Sequence, residues 1–116
     1  MNIQIFGRKK CFDTKKAERF FKERKIKYQL IDINEKPMSK GEINNVLRCL
    51  DISKLLNTKS KDYINLNFNN IRSKEIKMEL LIKNQNVMNT PIVRNGAKAT
   101  VGMNEEVWKL WITENK

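Results

Sequence analysis

Residues 2–33 read "NIQIFGRKKCFDTKKAERFFKERKIKYQLIDI". In Asn2–Gly7, Ile3 and Ile5 alternate with Gln4, the pattern of a short strand. From Asp13 the spacing changes. Ala17, Phe20 and Phe21 fall at i, i+3 and i+4, which marks one face of a helix. Ile26–Ile33 alternates again and predicts a second strand. Strand, helix and strand within about 30 residues make a βαβ unit, so the two strands should run parallel. The class is therefore α/β. Cys11 falls at the first strand-to-helix turn, directly after Arg8, Lys9 and Lys10.

Downstream, Pro37 stops the second strand, and Ser39 with Glu42 forms a capping box. Ile43, Val46, Leu47 and Leu50 then make a helical stripe. Ser60–Asn70 is polar and irregular, a helical turn or a loop. Ser73–Lys83 predicts a helix with Ile76, Leu80 and Leu81 turned inward. Residues 38–84 thus form a helical insertion. In "TPIVRNGAKATVG" (Thr90–Gly102), two β-prone runs flank Asn95–Gly96, the preferred pair for a tight hairpin. A last helix follows, capped by Asn104, with Glu105 and Glu106 in its first turn and Val107, Leu110 and Trp111 as its stripe. Phe20, Phe21, Trp108 and Trp111 lie at helical spacings and read as core rather than as a platform for bases. Residues 1–116 read as one domain. Its core comprises residues 1–36 and 87–116, split by the insertion.

The 116 residues suit a single core, and 40% of them are hydrophobic. No stretch approaches the roughly 20 apolar residues of a membrane helix. The first residues run apolar then basic, the reverse of a signal peptide, so a cytoplasmic location is expected. The net charge of +11 fits an acidic partner, but 18 Lys, 15 Asn and 13 Ile fit AT-rich codon usage better. The lysines are spread along the chain, so direct nucleic-acid binding is not expected. There is no histidine and there are two cysteines, which leaves little for a metal site and removes every Cys–His or Ser–His pair. Any nucleophile must be activated by other means.

The start of the helix supplies such means. Its first amides have no partner within the helix and carry partial positive charge. Arg8, Lys9, Lys10, Lys15 and Lys16 add to it, and the Thr14 hydroxyl can donate to the sulfur. All favour the thiolate, against Asp13, and predict a thiol pKa below the ordinary value of about 8.5. The alternative is a cysteine that merely packs between strand and helix. Cys49, at the edge of the Ile43–Leu50 stripe, reads as packing. To resolve a disulfide with Cys11 it must bring its Cα within about 7 Å.

The order βαβ, helices, ββα, with cysteine at the first turn, is the thioredoxin-like plan. "GRKKCFDTKKAERFFKERKIKY", the insertion, "NTPIVRNGAKATVG" and "NEEVWKLW" together resemble the ArsC/Spx family over nearly the whole chain. The resemblance implies a thioredoxin-like fold with a helical insertion. It implies a cis Thr90–Pro91 bond beside Cys11, which leaves a backbone edge at Thr90 for an extended ligand such as glutathione. The family's arsenate reductases use the cysteine that matches Cys11 to attack arsenate, and release arsenite through glutathione and glutaredoxin. Their three oxyanion-binding arginines match Asn57, Thr90 and Met103, none of which is arginine. Arg94, four residues past Thr90 and on the same face of a regular strand, is expected to substitute in part, along with Lys9 and Lys10. Efficient arsenate reduction is not expected.

The resemblance thus implies a thiol oxidoreductase. Cys11 is its nucleophile, and Lys10, Thr14, Thr90, Pro91 and Arg94 hold an anionic ligand. Glutathione or glutaredoxin is its partner, with no bound cofactor and no metal. The alternative is an Spx-like transcriptional regulator that binds RNA polymerase. Members of that branch sense oxidants through Cys-x-x-Cys, and "VGMNEEVWKLW" is similar to their C-terminal motif. Here Thr14 replaces the second cysteine, and the chain ends at Lys116 without the longer tail of that branch.

Overall fold

The computed structural model describes residues 1–114. Strands β1 (Ile3–Gly7) and β2 (Tyr28–Asp32) flank helix α1 (Phe12–Glu23). β1 and β2 run parallel, from Ile3 opposite Tyr28 to Gly7 opposite Asp32. β3 (Ile92–Asn95) returns antiparallel to β1, and β4 (Lys98–Val101) is antiparallel to β3. The sheet order is β2-β1-β3-β4, and helix α6 (Glu105–Glu114) follows. This is the thioredoxin-like arrangement that the sequence implies. β1 lies in the sheet interior and buries Ile3, Ile5 and Phe6, as a strand covered on both faces must.

The two faces are covered differently. On one, α1 and α6 bring Ala17, Phe20, Phe21, Trp108 and Trp111 against Ile3, Ile5 and Val93. The rings of Phe20, Phe21 and Trp108 meet edge-on or tilted, with centroids 5.1, 5.2 and 5.3 Å apart. Trp108 Nε1 donates to Thr100 Oγ1 at 2.9 Å, which satisfies the buried indole. On the other face, Phe6 and Ile92 pack under the insertion, against Ile43, Val46, Leu55, Phe68, Leu81 and Met88.

The insertion consists of α2 (Lys40–Leu47), α3 (Ile52–Leu55), α4 (Lys61–Asn65) and α5 (Lys74–Lys83), with 3₁₀ turns at Phe68–Asn70 and Gln85–Val87. Helices this short have little stability alone. Each therefore starts at a side-chain cap: Ser39, Asp51, Ser60 and Ser73 accept from the amides of Glu42, Ser53, Tyr63 and Ile76. The Ser39–Glu42 capping box is complete.

Some local expectations are corrected. Ile76 is 55% exposed and Leu110 is 57% exposed, so neither faces the core. In α6 the helix instead turns Trp108 and Trp111 inward, since two indoles remove more apolar area from water than Leu110 would. α5 buries Leu81 fully and Leu80 partly. Residues 60–70 are helical, as α4 and a 3₁₀ turn. The hairpin loop is Gly96–Ala97 rather than Asn95–Gly96, because Asn95 pairs with Lys98. Gly96 has φ +60°, which suits glycine at the first loop position.

Candidate active site

Cys11 is the N-cap of α1, with extended backbone (φ −88°, ψ 114°) and no side-chain cap bond. The turn before it closes through Cys11 N–H to Arg8 O at 3.1 Å. An N-cap side chain faces the second and third helical amides, here Asp13 and Thr14. Close approach of α1 to β1 makes this placement possible. A Cβ on Gly7 would overlap Cγ2 and Oγ1 of Thr14, so only glycine fits there.

The C-terminal part of the chain supplies the other wall. The Thr90–Pro91 peptide is cis. Thr90 Oγ1 donates to Cys11 Sγ at 3.1 Å, and the thiol donates to Thr90 O at 3.6 Å. Thr14, predicted to donate to the sulfur, is 3% exposed, and its Oγ1 makes no hydrogen bond of ordinary geometry among the described residues. The well-formed bond belongs to Thr90, while Thr14 stands by as an unspent donor. Burial pushes the Cys11 thiol up. The bond from the Thr90 hydroxyl, with the Thr14 hydroxyl and the amides of Thr14 and Asp13 close by, outweighs it, so the thiol lies below its ordinary value.

The cations divide unequally. Lys9 pairs with Glu35 at 2.8 Å on the exposed rim, and Lys10 is exposed. Arg8 turns inward instead. Its Nη1 donates to Met88 O at 3.0 Å and approaches Thr90 Oγ1 at 3.5 Å, and its Nη2 donates to Gln85 O at 2.8 Å. Burial lowers the Arg8 pKa from its usual value, and the charges of Cys11 and Asp32 oppose that. The attraction is mutual, so Arg8 in turn favours a Cys11 thiolate. Arg8 counted only as one of five nearby cations in the sequence. Its carbonyl partners lie some 80 residues away (separations of 77 and 80), and nothing local signals them.

Arg94 does not join this group. Its Nε donates to Asn45 Oδ1 and its Nη1 to Gln4 Oε1, both at 3.1 Å, and Glu42 Oε2 lies 3.7 Å away. The strand begins at Ile92, so alternation counted from Thr90 does not carry to Arg94. Of the other two positions matched to arginines, Asn57 donates its backbone N–H to Val87 O, and Met103 packs against the α1–α6 core. Pro91 is buried behind Thr90.

Cys49 is exposed rather than packed, and its thiol donates to Ala97 O at 3.0 Å. Ala97 lies in the hairpin loop, beyond the far end of β3 from Thr90. The four residues of β3 alone span roughly 13 Å, well over the separation a disulfide allows.

A cleft of about 490 Å³ opens beside the nucleophile's helix, lined by Gly7, Arg8, Lys9, Thr14, Lys15, Glu18, Leu30, Asp32 and Glu35. Its rim carries both signs of charge. Among the described residues no cluster of His, Cys, Asp or Glu could hold a metal ion, and no helix is long and apolar enough to cross a membrane.

The chain is similar to an uncharacterised protein, YusI, of Bacillus subtilis, 29% identical over 111 residues that cover 91% of this chain and 94% of that protein. It is also similar to the global transcriptional regulator Spx 2 of Oceanobacillus iheyensis, 26% identical over 91% of this chain and 80% of that protein. The arsenate reductase from Vibrio cholerae shares the fold, with a TM-score of 0.83 at 20% identity, over 94% of this chain and 97% of that one. Residues 6–110 match the ArsC family, and at that coverage the chain belongs to it.

Proposed function

We propose that the chain is a cytoplasmic thiol oxidoreductase in which Cys11 is the sole nucleophile and glutathione the thiol partner, directly or through glutaredoxin. The observation that carries this reading is the Thr90 hydroxyl 3.1 Å from the sulfur at the start of α1. A thiolate placed there attacks the glutathione sulfur of a mixed disulfide between glutathione and another thiol. The Cys11–glutathione bond forms as that disulfide breaks, and the departing thiolate takes a proton from water. A second glutathione, directly or through glutaredoxin, then attacks the Cys11–glutathione disulfide, leaves as glutathione disulfide and restores Cys11. Thr14 and Cys49 offer no internal route: one is not a thiol and the other lies at the far end of β3.

The adjoining cleft suits glutathione's mixed charge. In this reading Lys15 takes a carboxylate and Asp32 the amino group, while Lys9 and Glu35 neutralise each other on the rim. Lys10, exposed before the cysteine, adds attraction for the same anion. Arsenate is a poor substrate in this reading. Asn57, Thr90 and Met103 stand where the family's reductases carry arginine, and losing one oxyanion donor alone costs about a hundredfold or more in rate. The decisive assay compares arsenate turnover, coupled to glutathione and glutaredoxin, with adduct formation from glutathione disulfide. Adduct without efficient arsenate turnover is expected. Turnover equal to that of a reductase with all three arginines would overturn the assignment.

A second reading follows from the match to the Spx 2 regulator: docking on RNA polymerase. It needs no redox switch, so Thr14 does not exclude it. Retention of RNA polymerase by the immobilised chain would favour it, and Cys11→Ser should leave such retention unchanged.

A further inference from the structure

The thiolate needs a donor aimed at it, and a threonine hydroxyl has a single proton with several places to send it. Around Thr90 the alternatives are constrained. Arg8 Nη1 lies 3.5 Å from Thr90 Oγ1, and a guanidinium has donors and no acceptor. Toward Arg8 the hydroxyl can only accept. Its proton is therefore free for Cys11 Sγ, 3.1 Å away. Arg8 is itself fixed by two carbonyls, Gln85 O at 2.8 Å and Met88 O at 3.0 Å. Gln85 is fixed in turn. Its buried amide accepts from Met38 N–H at 2.8 Å and donates to Met38 O at 2.7 Å and Ile82 O at 3.2 Å.

We propose that Arg8 is a positioning residue for the nucleophile: anchored on Gln85 and Met88, its guanidinium turns the Thr90 hydroxyl proton onto the Cys11 sulfur. A cation thus reaches the place before the cis proline from residue 8. The proposal rests on the reading of Cys11 as an activated nucleophile. It adds that the activation is relayed, so that charge near the sulfur is not enough. Ionisation of the thiol removes its bond to Thr90 O and leaves that carbonyl facing an anion, which makes the Thr90 proton the more necessary.

The test is the pH midpoint of Cys11 alkylation by iodoacetamide, followed by peptide mass in the full chain. Wild type should give a midpoint below the ordinary thiol value of about 8.5. Thr90→Val and Arg8→Gln should each raise it by about one unit. Labelling at neutral pH should fall only about threefold, because a more basic thiolate is also the better nucleophile. The double variant should lie much closer to Thr90→Val alone than to the sum of the two shifts. Equal shifts from Arg8→Gln with and without Thr90 would show a bare charge effect and overturn the relay. Arg8→Lys keeps the charge but not the planar fork, and serves if Arg8→Gln does not fold. The relay requires its midpoint to rise, and an unchanged one overturns it. A low wild-type midpoint that no Arg8 variant moves removes the relay and leaves the nucleophile. An ordinary wild-type midpoint removes both.

Discussion

The two cysteines sit at opposite ends of β3 and meet opposite surroundings. Cys11 stands at the N-cap position of a twelve-residue helix, accepts a hydrogen bond from the Thr90 hydroxyl and has a half-buried guanidinium nearby. Cys49 lies past the end of α2, exposed, with its thiol donating to the carbonyls of Ala97 and Asn45. Exposure alone would make Cys49 the reactive one. The donor geometry says otherwise, because the species that attacks is the thiolate and, among the described residues, only Cys11 has donors aimed at its sulfur. Reactivity here is set by what points at the sulfur rather than by how much solvent sees it.

The strongest way to break that contrast is deletion. Cys11→Ser should abolish the single glutathione adduct that glutathione disulfide forms, read by intact mass, while Cys49→Ser leaves it whole. Loss of two hydrogens with no adduct would mean an internal disulfide and end the contrast. Next in size is competition within wild type. Iodoacetamide at neutral pH should modify Cys11 before Cys49, by roughly threefold to tenfold. Equal rates would return the decision to exposure.

Gly7→Ala sharpens the contrast at one end only. The added methyl would overlap Thr14, forcing α1 away from β1 at a cost of about 1–3 kcal/mol in urea unfolding. It should also raise the Cys11 alkylation midpoint, because the helix amides move with α1. A pH series gives a smaller effect of defined sign. The folded state lowers the Cys11 pKa, so the thiolate stabilises the fold once pH rises through that lowered value, and fully above the unfolded value of about 8.5. The stability of wild type relative to Cys11→Ser should therefore grow from neutral to alkaline pH and be lost on return. A difference that shrinks with rising pH would reverse the assignment. Smallest of all, Cys49→Ser keeps a donor for Ala97 O and should change stability by no more than about 0.5 kcal/mol.

What the sequence revealed followed the range of the forces involved. The βαβ unit and the Ser39–Glu42 cap were legible because each is decided within one or two turns of chain. Ile76 and Leu110 were misplaced because a short helix offers more than one apolar face, and what it packs on makes the choice. Cys11 was legible from its place before a helix. Thr90 entered through the family resemblance. Arg8 did not stand out, since its partners Gln85 and Met88 are neighbours only after β3 pairs with β1. Arg94 erred in the opposite sense, because the face was counted from Thr90, which lies before the strand that holds Arg94.

The antiparallel pairing of β1 with β3 also bears on how the protein is made. Cys11 leaves the ribosome 79 residues before Thr90. At a synthesis rate of about 5–20 residues per second, that interval lasts about 4–16 s. Throughout it Cys11 is an ordinary thiol, joined by Cys49 partway through. The potent one comes into being only when the last strands add to the sheet, so a truncated product lacking β3 would hold the cysteine without its chemistry.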